Sequence, residues 1–225
     1  MGTLVCFVGI DGSGKTTLAK GISKELNKEN FDTIYIYGRI VPIISRFFMS
    51  LGRTIVLRRK KNDIFTDYQG YSKQKKQLFN KGFFSNAFKW MILFDHILQI
   101  NFKIKTRLLM GKIVICDRYI FDTVITDIAA NINCDVAEST NLIKKTFHFI
   151  PKPDYLFYIN IPEEIAYERK NDVPHLDYLI ERKKLYDALE QSFEVIELDG
   201  TDKVDEISSK VKSKLIHSLR SNEVK

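Results

Sequence analysis

Residues Gly9-Ile10-Asp11-Gly12-Ser13-Gly14-Lys15-Thr16-Thr17 follow the pattern G-x-x-x-x-G-K-[ST] directly behind an apolar run at 3–8, and that order leaves few folds open. The pattern needs a buried strand to deliver the chain, a tight glycine-rich loop, and a helix whose first N–H groups face an anion. Such a loop is a phosphate cradle: its backbone amides point at phosphate oxygens, Lys15 can reach the outer phosphates, and Thr16 can hold Mg²⁺. A glycine-rich turn that merely starts a helix is the alternative, and the placement between strand and helix argues against it.

Apolar strand candidates at 3–8, 33–37, 113–116, 155–159 and 195–198 alternate with longer segments whose apolar residues recur at helical spacing. Strand and helix in alternation specify an α/β chain with a parallel sheet. Leu18 and Ile22 share one face of the helix behind the loop, Gly38 and Pro42 break the second strand, and 83–110 reads as a long, largely buried helix stopped by Gly111. Val204, Ile207, Val211, Leu215 and Leu219 describe a final amphipathic helix. The expected architecture is a three-layer doubly wound parallel sheet of five strands, in one domain spanning 1–225.

At 225 residues the chain can bury roughly 70% of its unfolded surface without staples. Cys6, Cys116 and Cys134 are widely spaced, which predicts reduced, mostly buried thiols, a cytoplasmic setting and no zinc site. The first strand leaves no room for a leader, and no apolar run approaches a membrane span, so no membrane partner is expected. A net charge of +7, concentrated at 58–61 and 73–81, fits anionic partners. A solvated basic face, or a field steering phosphates into a cleft, accounts for it better than nucleic acid does.

The strand at 113–116 ends in Asp117-Arg118-Tyr119, and strand carboxyl ends in an open parallel sheet face the ligand crevice. Asp117 can then serve Mg²⁺ directly or through water, and Arg118 offers a planar fork to a phosphate. A structural ion pair is the competing reading, less favoured beside a phosphate loop. Further on, Glu163 to Lys170 and a helix with Arg182, Lys183 and Lys184 flank a short polar turn. This makes a lid at about 168–175, with Arg169, Lys170 and Arg182 as candidate cations for a moving phosphoryl group. Each is read equally well as a helix-end or surface cation.

These motifs together resemble the thymidylate kinase family of nucleoside monophosphate kinases. The loop at 9–17 is similar to that family's phosphate loop, Asp117-Arg118-Tyr119 to its Asp-Arg-Tyr/Phe/His motif, Pro153-Asp154 to its Pro-Asp motif, and Glu197-Leu198-Asp199-Gly200-Thr201 to the segment bordering adenine. The resemblance implies a P-loop nucleoside monophosphate kinase fold and ATP-dependent phosphorylation of a deoxynucleoside 5′-monophosphate, above all thymidine monophosphate, with Mg²⁺, in a cytosolic homodimer. It implies an ATP set of Gly9, Asp11, Gly12, Ser13, Gly14, Lys15, Thr16, Thr17, Arg169, Asp199 and Thr201, with Lys15, Asp117, Arg118 and Arg169 catalytic. Thr16 and Asp117 would serve the metal. The implied acceptor set is Asp11 on the sugar hydroxyl, Arg39 and Arg118 on the phosphate, and Phe94 and His96 on the base, within a helical region at about 40–110. Gly12 stands where some members carry a catalytic arginine, which moves the catalytic cations to the lid.

The chain departs from the family in having Val8 for a glutamate, Gly38-Arg39-Ile40-Val41-Pro42 for Arg-Glu-Pro, a short lid, and no arginine from 95 to 102, where His96 or Leu98 takes the base-reading position. A kinase with a nucleoside or non-nucleotide acceptor, and a non-catalytic ATP-binding protein, are the competing expectations.

Overall fold

The computed structural model describes residues 2–41, 82–129, 132, 134–170 and 172–223. Pro42 and the basic runs at 58–61 and 73–81 lie outside these residues. Five parallel strands, β1 (Leu4–Val8), β2 (Thr33–Tyr37), β3 (Ile113–Asp117), β4 (Tyr155–Asn160) and β5 (Ile196–Asp199), form one sheet in the order β2-β3-β1-β4-β5. The strands that follow β1 lie first on one side of it and then on the other. The reversal therefore falls at β1, and in such sheets the ligand crevice opens at the carboxyl ends there.

β1 is Leu-Val-Cys-Phe-Val, buried throughout, because both faces of a central parallel strand are covered. Leu4, Cys6 and Val8 point into one apolar core, and Val5 and Phe7 into the other. The second core is closed by α1 (Lys15–Lys28), through Leu18, Ile22 and Leu26, and by α7 (Val204–Glu223), through Ile207, Val211 and Leu215. The first is closed by α2 (Gly82–Ile100), α3 (Ile120–Asp122), α4 (Val136–Thr146), α5 (Glu163–Glu168) and α6 (Leu176–Asp187). The result is the expected three layers. Edge strand β5 exposes Glu197 and Asp199, charges that discourage further strand pairing. Pro153-Asp154 has a mechanical role: the Asp154 carboxylate accepts from Leu4 N at 2.7 Å, and Asp154 N donates to Leu4 O at 2.9 Å, starting the β1–β4 ladder.

The long helix expected at 83–110 is corrected in two respects. It widens into a π-helical stretch at Asn101–Lys105 before finishing at Thr106–Leu109, and it is not largely buried. Ile92, Leu93, His96 and Ile100 face the core, while Trp90, Phe94, Leu98 and Phe102 are exposed. A helix beside a sheet buries one stripe, and apolar density alone does not reveal whether the other side is covered.

Candidate active site

The loop between β1 and α1 wraps around Lys15, whose Nζ donates to Gly9 O at 2.9 Å, Ile10 O at 2.5 Å and Ser13 Oγ at 3.3 Å. Burial, and after it the positive charge of Arg118, pull the Lys15 ammonium down to about 8. Gly12 has a φ of 88°, and a Cβ there would overlap the Ala166 carbonyl oxygen of α5. Only glycine fits both the left-handed backbone and the close approach. Helix α5 thus rests directly on the phosphate loop, and no arginine could occupy position 12 without moving it.

Thr16 Oγ1 donates to Asp117 Oδ2 at 2.5 Å, and Tyr35 OH donates to the same oxygen at 3.0 Å. The other carboxylate oxygen, Oδ1, is buried with no hydrogen-bond partner among the described residues. An orphaned carboxylate oxygen beside a hydroxyl suits a hard divalent cation. Among the described residues no group of three His, Cys, Asp or Glu could hold a metal alone. Mg²⁺ is bound by one or two protein oxygens plus phosphates and water. Thr16 and Asp117 therefore fit the cation the sequence implied.

Arg118 follows with a φ of 67°, a conformation costing a non-glycine residue about 1–2 kcal/mol, and such strain gathers at functional sites. It aims the guanidinium back across the sheet edge, where it pairs with Asp11 and, at 3.2 Å, with Asp122. Arg118 Nε is buried without a partner among the described residues, leaving a donor for a further anion. Asp122 accepts a second bond from Tyr186 OH at 2.8 Å. Burial would raise the Asp11 carboxyl, but Arg118, then Lys15, and at longer range Lys170, hold it well below the usual carboxylate range. Lys170 Nζ lies 3.7 Å from Asp11, and Tyr178 OH donates to Asp11 at 3.3 Å. Arg39, on the segment after β2, bonds Asp127 at 3.0 Å.

The fold thus gathers Asp11, Lys15, Thr16, Asp117 and Arg118 at the carboxyl ends of β1 and β3, with Lys170 reaching in from the segment that follows α5. Arg169 goes elsewhere: it donates to Gly200 O at 2.9 Å. That joins it to the loop where Asp199 accepts from Thr201 N and Oγ1 at 2.8 and 2.6 Å, a separate cluster on the β5 side. Arg182 lies over the Tyr178 ring at 3.3 Å and bonds its carbonyl. Phe94 and His96 point to opposite sides of α2, because residues two apart on a helix are separated by about 160° around its axis. Phe94 is exposed, whereas His96 is buried against Gly38 O at 2.8 Å.

Sequence reading missed Tyr35, Asp122, Asp127, Tyr178 and Tyr186. Asp122 had a local signal, standing four residues after Arg118 as a helical ion pair does. The tyrosines had none.

The family model for thymidylate kinase matches residues 59–211. The phosphate loop lies ahead of that match and is an independent observation. A probable thymidylate kinase 2 from Saccharolobus solfataricus is 26% identical over 170 residues, covering 75% of this chain and 63% of that protein; this chain therefore spans less than two thirds of that relative. The thymidylate kinase of Plasmodium falciparum is 24% identical over 222 residues, 93% of this chain and 88% of its own. That of Leptospira borgpetersenii is 26% identical over 209 residues, 90% and 88%. With the family model covering most of its length and the phosphate loop, the Thr16–Asp117 pair and Arg118 meeting at the carboxyl ends of the strands, this chain belongs to the thymidylate kinase family.

Proposed function

We propose that this protein transfers the γ-phosphoryl group of ATP to the 5′-phosphate of thymidine monophosphate, giving the diphosphate and ADP. The observation that carries the reading is the single crevice in which the Lys15 cradle, the Thr16–Asp117 pair and the guanidinium of Arg118 converge. Donor phosphates lie against the loop amides and displace Lys15 Nζ from its carbonyl partners. Mg²⁺ held by Thr16 and Asp117 would neutralise charge on the donor phosphates. Arg118, through its free Nε, and Arg39 align the acceptor phosphate, and Asp11 meets its sugar. Lys170 adds positive charge as the lid closes, while Arg169 with Asp199 and Thr201 borders the adenine side. Positioning and charge stabilisation supply most of the catalysis.

The test is ADP formation from Mg·ATP with thymidine, uridine, deoxycytidine and purine 5′-monophosphates beside free thymidine. Stimulation by thymidine monophosphate above the others is expected. Stimulation by thymidine alone would make the protein a nucleoside kinase, and ATP binding with no acceptor effect would make it a non-catalytic relative.

The cytoplasmic setting and the homodimer belong to the same reading. Buried free thiols at Cys6 and Cys116 suit a reducing compartment, and among the described residues no helix is long and apolar enough to cross a membrane. The exposed stripe Trp90, Phe94, Leu98 and Phe102 offers a second copy an apolar face. Sedimentation of Trp90→Glu should yield a monomer where the wild type is a dimer; a monomeric wild type would remove this part of the reading.

A further inference from the structure

Segment 38–41 leaves the sheet at the end of β2, an edge strand, and carries Arg39. Its backbone is held from α2. His96 Nε2 bonds Gly38 O at 2.8 Å; a carbonyl only accepts, so Nε2 carries the proton. One helical turn on, the Gln99 amide brackets Val41, with Nε2 donating to Val41 O at 2.7 Å and Oε1 accepting from Val41 N at 3.2 Å. Nε2 also donates to Asp95 Oδ1 at 3.0 Å, which orients the amide. His96 and Gln99 are both buried, at 1% and 8% exposure, and their spacing of three puts them on one helix face. Ile40 is buried between the two anchor points.

The other side of the segment is equally constrained. Gly38 N donates to Asp117 O at 2.9 Å, and a Cβ at Gly38 would overlap the Arg118 carbonyl oxygen and the Cys116 sulfur. The segment that presents Arg39 is thus pressed against the backbone of Arg118 and pinned there by two side chains of α2. Burial, against the raising effect of the Gly38 bond, pulls His96 down to about 4, so it stays neutral with its proton on Nε2 at physiological pH.

We infer that His96 and Gln99 are positioning residues: together they form a clamp that sets where Arg39 meets the acceptor phosphate. This rests on the proposed reaction and reassigns His96 from the base to the backbone. In this chain α2 acts on the acceptor through the phosphate arginine it holds in place. A displacement near 1 Å at such a group can cost about a hundredfold in rate, so the clamp is coupled to acceptor use and not to ATP use.

The experiment is steady-state kinetics with thymidine monophosphate and Mg·ATP for wild type, Gln99→Met, His96→Leu and His96→Gln, repeated for Gln99→Met in an Arg39→Ala background. Methionine matches glutamine in length and shape and suits a buried position. Gln99→Met and His96→Leu should raise the acceptor KM about tenfold while the ATP KM stays within about twofold. His96→Gln, whose amide nitrogen reaches near the imidazole Nε2 position, should recover most of the loss even if His96→Leu does not fold. With Arg39 already removed, Gln99→Met should add almost nothing, as coupled residues behave in a double-mutant cycle. Equal changes in both KM values, or a Gln99→Met effect that persists undiminished without Arg39, would reduce the clamp to general packing and overturn the inference. An unchanged acceptor KM in an active Gln99→Met enzyme overturns the clamp alone, whereas a wild type that no monophosphate stimulates overturns the proposed function and the clamp with it.

Discussion

Lys15→Ala is expected to lower turnover by about 10²–10³-fold or more, the scale seen when a single charge-stabilising donor is removed, while the protein stays folded. Its ammonium is buried and held by Gly9 O, Ile10 O and Ser13 Oγ, so deletion strands two carbonyls but also removes a desolvated cation. The two effects oppose each other in stability, and nothing offsets the loss at the phosphates. A pH test follows from the same residue. The ammonium is the phosphate-binding form, and its pKa in the free protein is about 8, against about 10.4 for an exposed lysine. ATP affinity should therefore fall as pH rises through 8, approaching tenfold per unit, and calorimetry above pH 8 should record proton uptake on binding. In stability the sign is opposite: the fold disfavours the charged form, so the penalty is complete below about pH 8 and fades as pH rises toward about 10.4. Near-normal turnover of Lys15→Ala, or ATP affinity that is flat from pH 7 to 9.5, would remove Lys15 from the phosphate site.

Arg118→Met should have the largest effect on stability, about 3–5 kcal/mol by urea denaturation, because breaking a buried ion pair leaves uncompensated charge. Two carboxylates depend on that guanidinium, Asp11 and Asp122, at 8% and 0% exposure. Burial already raises Asp122, and Arg118 is the largest influence lowering it. Without Arg118 its folded pKa rises further, so protonation favours the folded state. A group raised in this way contributes stability at low pH that is lost as pH climbs through its folded pKa. The stability gap between variant and wild type should thus narrow from pH 7 to pH 5, and turnover should be lost throughout. A gap that is constant with pH would mean that Asp122 does not depend on Arg118 for compensation.

Local features of this chain were readable in advance because they rest on neighbours in sequence. The apolar run before Gly9 and the glycine spacing to Lys15 dictated strand, loop and helix, and strand ends within a residue or two were set by Gly38 and by the charges of Asp117 and Asp199. The cations that follow α5 were legible as cations and not as partners. Arg169 and Lys170 are adjacent, yet one reaches the carbonyl of Gly200 and the other the carboxylate of Asp11, because consecutive residues at a helix end diverge by about 100°. His96 looked like a base reader because it filled a position, and in the fold its Nε2 bonds the carbonyl of Gly38. Periodicity says which face of a helix is buried and never what the buried polar atoms touch.

The sequence by itself determined the parallel α/β layering, the phosphate loop and the meeting of Thr16 with Asp117, since each depends on spacing or on a strand's carboxyl end. Only the tertiary structure decided which charges share the crevice. Arg118 meets Asp11 across 107 residues and Tyr178 meets it across 167, and a contact of that separation is set by how the layers pack, a global minimum of burial and hydrogen bonding that no local pattern records.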